Sequence, residues 1–247
     1  MSGRWRLAAL SISALVLSAA PALAQSVTLD IGEASGSSTG RLIQLLVLLT
    51  VLSLAPAILV TVTSFTRIIV VLSFLRNALG VQQTPPNIVL ISLALFLTGF
   101  VMAPTLEKSY NDGIAPLISE QMPESEALPR AAAPLHDFMT VHVRGQDLEL
   151  FAGMAKIDKS VEAKDMPFRV LVPAFMISEL RRAFEIGFLL FLPFLIIDLV
   201  VSSVLMSMGM MMLPPVTISL PFKLIFFVLV DGWYLVAGSL VQSFGGS

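Results

Sequence analysis

The chain is 247 residues long, 56% hydrophobic and only 13% charged, where a soluble domain carries about a quarter charged residues. Such a composition belongs to an integral membrane protein, and a net charge of -2 offers no basic face, which excludes nucleic acid as a partner. The absence of cysteine removes disulfides, thiolate nucleophiles and cysteine metal sites, but it leaves the compartment open.

Residues 1–24 have the three parts of a cleavable signal peptide: Arg4 and Arg6, an apolar run over 7–17, and small residues before a cleavage point between Ala24 and Gln25. That apolar run is about half the roughly 20 residues a spanning helix needs. An uncleaved anchor is the alternative. Residues 25–40, rich in glycine and serine, read as a flexible mature N-terminus. Residues 41–104 form a first helical pair. Its first span is 42–62, with Pro56 as a kink, and the connection 67–87 carries Arg67 and Arg76, which the positive-inside rule directs to the cytoplasm. Asn87 can cap the returning helix, 88–103, whose 16 residues give only about 24 Å.

Residues 105–169 hold 11 of the 17 acids and 7 of the 15 lysines and arginines, and they read as a partly helical periplasmic loop with a helical cap over 134–155. His136 and His142 are six apart, a spacing that does not put two metal ligands on one helix face, so they read as ordinary surface histidines.

The last region, 170–247, contains the stretch 175–215, around which the chain is organised. Glu179, Arg181, Arg182 and Glu185 stand directly against an apolar run, and a bare charge facing hydrocarbon costs roughly 2.5–3.5 kcal/mol on insertion scales. On a helix, Glu179 can meet Arg182 and Arg181 can meet Glu185, yet the two pairs point in different directions. A turn that is polar on more than one side fits contacts between neighbouring subunits. The alternative is a helix end emerging into water. Pro193 and Asp198 mark the following segment as a broken helix, and Lys223 and Asp231 are further charges in apolar surroundings, with Asp231 read as a buried acid. Lys223 pairing with Glu179 or Asp198, between helices or subunits, is the structural reading; a proton path through Asp198 and Asp231 is the other.

Met206, Met208, Met210, Met211 and Met212 place five of twelve methionines within seven residues, just before Pro214 and Pro215, which are read as ending the helix. Methionine usually serves as adaptable core filler. Repeated around a ring beside a turn, it would instead make a deformable apolar constriction.

Two long blocks, SFTRIIVVLSFLRNALGVQQTPPN and PAFMISELRRAFEIGFLLFLPFLIIDLVVSSVLMSMGMMMLPP, resemble the signature blocks of the FliP/SctR family of type III export gates, and the likeness runs over about 42–241. The resemblance implies an all-α membrane protein with about four nominal transmembrane helices, short and broken, with a small helical periplasmic region, assembling into a helical ring. It implies a pentamer of this chain joined by FliQ-like and FliR-like subunits, working with FlhA-like and FlhB-like components on unfolded flagellar substrates, without enzymatic activity or cofactor. It places the family's nominal spans largely on the periplasmic side and its methionine gasket on Met210, Met211 and Met212. The signal peptide favours the flagellar branch over the equivalent subunit of a virulence injectisome. A proton-coupled secondary transporter would call for internal repeats, and none is evident between 42–103 and 171–241; an intramembrane hydrolase would need a base near Ser178, Ser202 or Ser203.

Overall fold

The computed structural model describes residues 38–81, 83–158, 161–210 and 212–245. The expected signal peptide with its Ala24–Gln25 junction, most of the expected flexible segment 25–40, and Met211 lie outside the described residues. Contacts divide the chain into two units, Met1–Leu49 and Thr50–Ser247; of the first, the described part is the start of a helix.

Every regular element among the described residues is helical. In chain order they are α1 (Ser38–Val62), α2 (Phe65–Ala78), α3 (Asn87–Ser109), a π-helical turn (Tyr110–Ile114), α4 (Ala115–Ile118), α5 (Glu124–His142), α6 (Gly145–Met154), a short 3-10 turn (Ala163–Asp165), α7 (Phe168–Ser207), α8 (Pro215–Leu229) and α9 (Gly232–Gly245). Two stretches, Asn87–Ile118 and Phe168–Ser207, are long and apolar enough to cross a membrane. Two bent pairs, Pro56–Val62 with Phe65–Ala78 and Pro215–Leu229 with Gly232–Gly245, raise the number of candidate spans to four.

The core follows from one helical stripe. Ile68, Val71, Leu72 and Leu75 recur on one face of α2 and are completely or almost completely buried. They join Leu90 and Ala94 of α3, Ala183 and Phe194 of α7, Phe227 of α8, and Val236 and Leu240 of α9. Burying each large apolar side chain contributes about 1.5–3 kcal/mol, so α2 is the centre of the assembly of helices. Its most extensive neighbour is α7. The two approach closely at Gly187, where a Cβ would lie 2.7 Å from the ring of Phe74. A second core joins Met139 of α5, Leu148 and Ala152 of α6, and Val170, Leu171, Ala174 and Phe175 of α7.

Three helix boundaries differ from the reading of the sequence. The region expected to break at Pro193 and Asp198 is one continuous 40-residue helix, α7, running through both Pro173 and Pro193 over about 60 Å. A proline removes one N–H and crowds one carbonyl, and neighbouring helices can hold such a helix together. Likewise α3 does not stop at residue 103 but passes Pro104 to Ser109 and continues into the π-helical turn, so the boundary at 104 falls inside a helix. In the first pair, α1 ends at Val62, the expected end of the first span, and the stretch 67–87 expected as a connection is in large part the helix α2, reached by an 82° bend at Thr63 and Ser64. Asn87 makes no side-chain cap at the start of α3; its Oδ1 accepts a hydrogen bond from Arg76 instead.

Candidate functional site

Two groups of buried charge and one exposed loop make up the site. The first is built on Arg67, which occupies a core position of α2 beside Ile68. Its Nε donates to Glu179 Oε2 of α7 at 2.8 Å, and its terminal nitrogens reach Glu179 Oε1 and the carbonyl and hydroxyl of Ser243 in α9, at 3.1 and 3.0 Å for the last two. The guanidinium carbon lies 3.6 Å from the centroid of the Phe244 ring. Arg67 is 1% exposed and Glu179 0%, so neither charge meets water. A planar guanidinium can satisfy a carboxylate in two-pronged fashion and stack on an aromatic face at once, which suits it to such a position better than lysine.

This arrangement differs from the reading of Glu179 as meeting Arg182 on its own helix and as a contact between subunits. Its carboxylate is consumed inside the chain by Arg67, 112 residues away, a residue that the sequence presents only as a topology signal. The missed clue is register: Arg67 precedes Ile68 in the buried stripe of α2. Arg181 and Glu185 do meet, Nε to Oε1 at 2.9 Å, on an exposed face of α7, while Arg182 is half-buried.

The second group closes the hairpin made by α7 and α8. Lys223 Nζ donates to Asp198 Oδ2 at 2.7 Å and to the carbonyl of Ala78 at 3.1 Å, and Ser219 Oγ donates to Asp198 Oδ1 at 2.6 Å. Lys223 and Ser219 are buried and Asp198 is partly so. Ala78 ends α2, where carbonyls lack helical partners and the helix dipole is negative; the ammonium caps that end. Of the two partners expected for Lys223 from the sequence, the structure brings it to Asp198 and gives Glu179 to Arg67. Asp231 is not buried. It stands exposed, with φ +50°, between α8 and α9, and its carbonyl accepts from Leu235 N.

Beyond this clasp of Lys223, Asp198 and Ser219, the hairpin leads to the methionine loop. Its α7 end is set by Gly209 at φ +74°: Gly209 N donates to Met206 O and Met210 N to Leu205 O, the paired bonds of a Schellman motif. The glycine therefore ends the helix, not the two prolines, which instead start α8 with Pro214 as its cap and Pro215 as its first residue. Met206, Met208, Met210 and Met212 are all exposed, Met212 at 99%. None of these four is buried among the described residues, so soft core packing within the subunit does not account for them.

The loop residues 105–169 contribute a third polar tie. Ser178 Oγ of α7 donates to Asp147 Oδ2 at 2.7 Å and accepts from the backbone N–H of Arg144 at 3.0 Å, fixing the α5–α6 turn on α7. Neither histidine is an ordinary surface residue. His142 is buried against Phe138 and Phe244, and His136 Nε2 lies 2.7 Å from Met166 O. Among the described residues no three of His, Asp and Glu gather as metal ligands. Ser202 and Ser203 donate to carbonyls of their own helix.

This chain is similar to the flagellar biosynthetic protein FliP of Caulobacter vibrioides, 61% identical over 97% of this chain and 91% of the relative. The protein of that name from Bacillus subtilis is 58% identical over 82% of this chain and 91% of its own, and that of Aquifex aeolicus 48% identical over 95% and 98%. The FliP family matches residues 48–240, which contain Arg67, Glu179, Asp198, Lys223 and the methionine loop. A match over that much of the chain, with relatives so similar over nearly their full lengths, shows that the chain belongs to the FliP family.

Proposed function

We propose that this chain is the pore-forming core subunit of a flagellar type III protein export gate, passing unfolded flagellar subunits across the bacterial inner membrane. It acts as a non-enzymatic conduit. Five copies form the ring with FliQ-like and FliR-like subunits, in a flagellar basal body with substantial periplasmic exposure, and FlhA-like and FlhB-like components deliver substrate. The names of its relatives, all flagellar biosynthetic proteins, support the flagellar branch.

The observation that carries the reading is the exposed methionine loop at the tip of a hairpin whose base is locked by buried charge. Thioether side chains are flexible and apolar, so a ring of them closes to water and ions yet repacks around a passing chain. Arg181 and Glu185, exposed on α7, remain the charges available to neighbouring subunits.

Replacing Met210, Met211 and Met212 together by alanine or glycine should make cells leak ions and small molecules while export of flagellar proteins continues in part. Unchanged permeability with the complex intact by native mass spectrometry would overturn the gasket role.

A further inference from the structure

A cleft of about 1010 Å³ lies between α5 and the end of α3 with its π-helical turn, and four charges line it: Lys108 and Asp112 on one wall, Arg130 and Asp137 on the other. Arg130 is taken by Glu126 on its own helix. Lys108, Asp112 and Asp137 enter no ion pair among the described residues. A further polar group is His142, only 8% exposed. Its Nδ1 lies 2.8 Å from the carbonyl of Phe138, which can only accept, so Nδ1 carries the proton and Nε2 of the neutral ring holds a lone pair. Nε2 has no partner among the described residues and is not sealed inside, so it opens through the cleft that His142 lines. The cleft thus presents three unpaired acceptors and one unpaired cation.

An apolar groove of about 670 Å³ continues along the same side of α3. Leu97, Phe100, Pro104 and Lys108 stand three or four residues apart and share one face; the first two wall the groove against Tyr234, Gly238 and Gln242 of α9, the last two the cleft. Phe244, at the end of α9, packs on His142 with ring centroids 5.3 Å apart, so the helix that walls the groove reaches the cleft. No charge interrupts α3 from Asn87 to Leu106, so charge begins where groove gives way to cleft. The combined shape calls for an occupant with an apolar tail and a charged head.

We propose that cleft and groove together bind one phosphatidylethanolamine molecule, its ammonium held by Asp112, Asp137 and His142 Nε2, its phosphate by Lys108, and an acyl chain laid between α3 and α9. An ammonium carries three N–H donors, which match the three unpaired acceptors. A choline head has no such donor, and a glycerol head brings no positive charge to the two carboxylates. A lysine of a partner protein would satisfy the acceptors but leave Lys108 and the groove unfilled.

The full complex, reconstituted in nanodiscs of equal parts phosphatidylethanolamine, phosphatidylcholine and phosphatidylglycerol, should retain the first about tenfold over either of the others, counted by native mass spectrometry; tenfold is the equivalent of one hydrogen bond to a charged group. That comparison needs no variant. Asp112→Asn with Asp137→Asn, both exposed side chains, should erase the preference. Phosphatidylethanolamine with a photoactivatable acyl chain should label residues 97–100 and 234–242. Gly238→Leu, where an added Cβ meets nothing within 4 Å, should fill the groove and abolish that labelling with complex yields unchanged. Equal retention of the three lipids, a preference that survives the paired Asp→Asn change, or displacement of the lipid by an equal concentration of glycerophosphoethanolamine, which has the head without the chains, would each overturn the proposal. So would efficient disulfide crosslinking of Asp137→Cys to a cysteine engineered on a neighbouring chain.

Discussion

Arg67 and Glu179 show how a residue's meaning changes with its register. An arginine in a stripe of fully buried aliphatic residues requires a buried counter-charge, and the carboxylate of α7 supplies it together with two oxygens of Ser243. Removing one partner strands the other, at a cost of roughly 3–5 kcal/mol, whereas replacing both by apolar residues of similar size is far milder. Arg67→Met or Glu179→Gln should therefore each lower unfolding stability in detergent strongly, and Arg67→Met with Glu179→Leu should recover most of it. Additive losses in that double-mutant cycle would mean the two side chains do not share one site. The clasp ranks its members similarly. Lys223→Met leaves Asp198 and the carbonyl of Ala78 without their cation, while Asp198→Asn keeps one acceptor oxygen for Lys223 and turns its amide toward Ser219, whose hydroxyl can accept and donate instead to Val216 O, so the first should destabilise the hairpin by about 1–3 kcal/mol more than the second.

Among the helices, α7 carries the most information. Its 40 residues join the second core around Phe175, the Arg67 pair, the Lys223–Asp198 clasp and the methionine loop on one rod. Gly187 lets α2 lie against that rod. A leucine there collides with Phe74, and Gly187→Leu should separate α2 from α7, seen as faster amide exchange in α2; unchanged protection would show that the helices can shift apart at no cost. At the rod's end, Gly209 occupies a backbone conformation costing an L-residue roughly 1–2 kcal/mol. Gly209→Val should fray the last turn of α7 and raise proteolysis at the methionine loop without altering the clasp.

At the scale of the molecule, the outstanding property is how much apolar surface the single chain leaves uncovered. Phe96, Phe100, Phe188, Leu229, Tyr234 and Met212 are all more than 60% exposed. Surfaces of that character are covered by lipid or by protein. The chain extracted in mild detergent should run at a multiple of its monomer mass by native mass spectrometry, as the proposed ring requires; a stable monomer as the sole species would count against the ring.

Composition by itself determined the class, a helical membrane protein, because apolar content and the scarcity of charge do not depend on how the chain is arranged. The two long blocks carried the family, and local spacing gave the Arg181–Glu185 pair, since neighbours four apart on a helix meet whatever surrounds them. The tertiary structure decided the rest. Whether Pro193 breaks a helix, which acid answers Arg67, whether Asp231 is buried and what Lys223 holds all depend on partners 25 to 176 residues distant or on packing from other helices. Such contacts leave no periodic trace along the chain, because burial is a property of the assembled core and not of the segment.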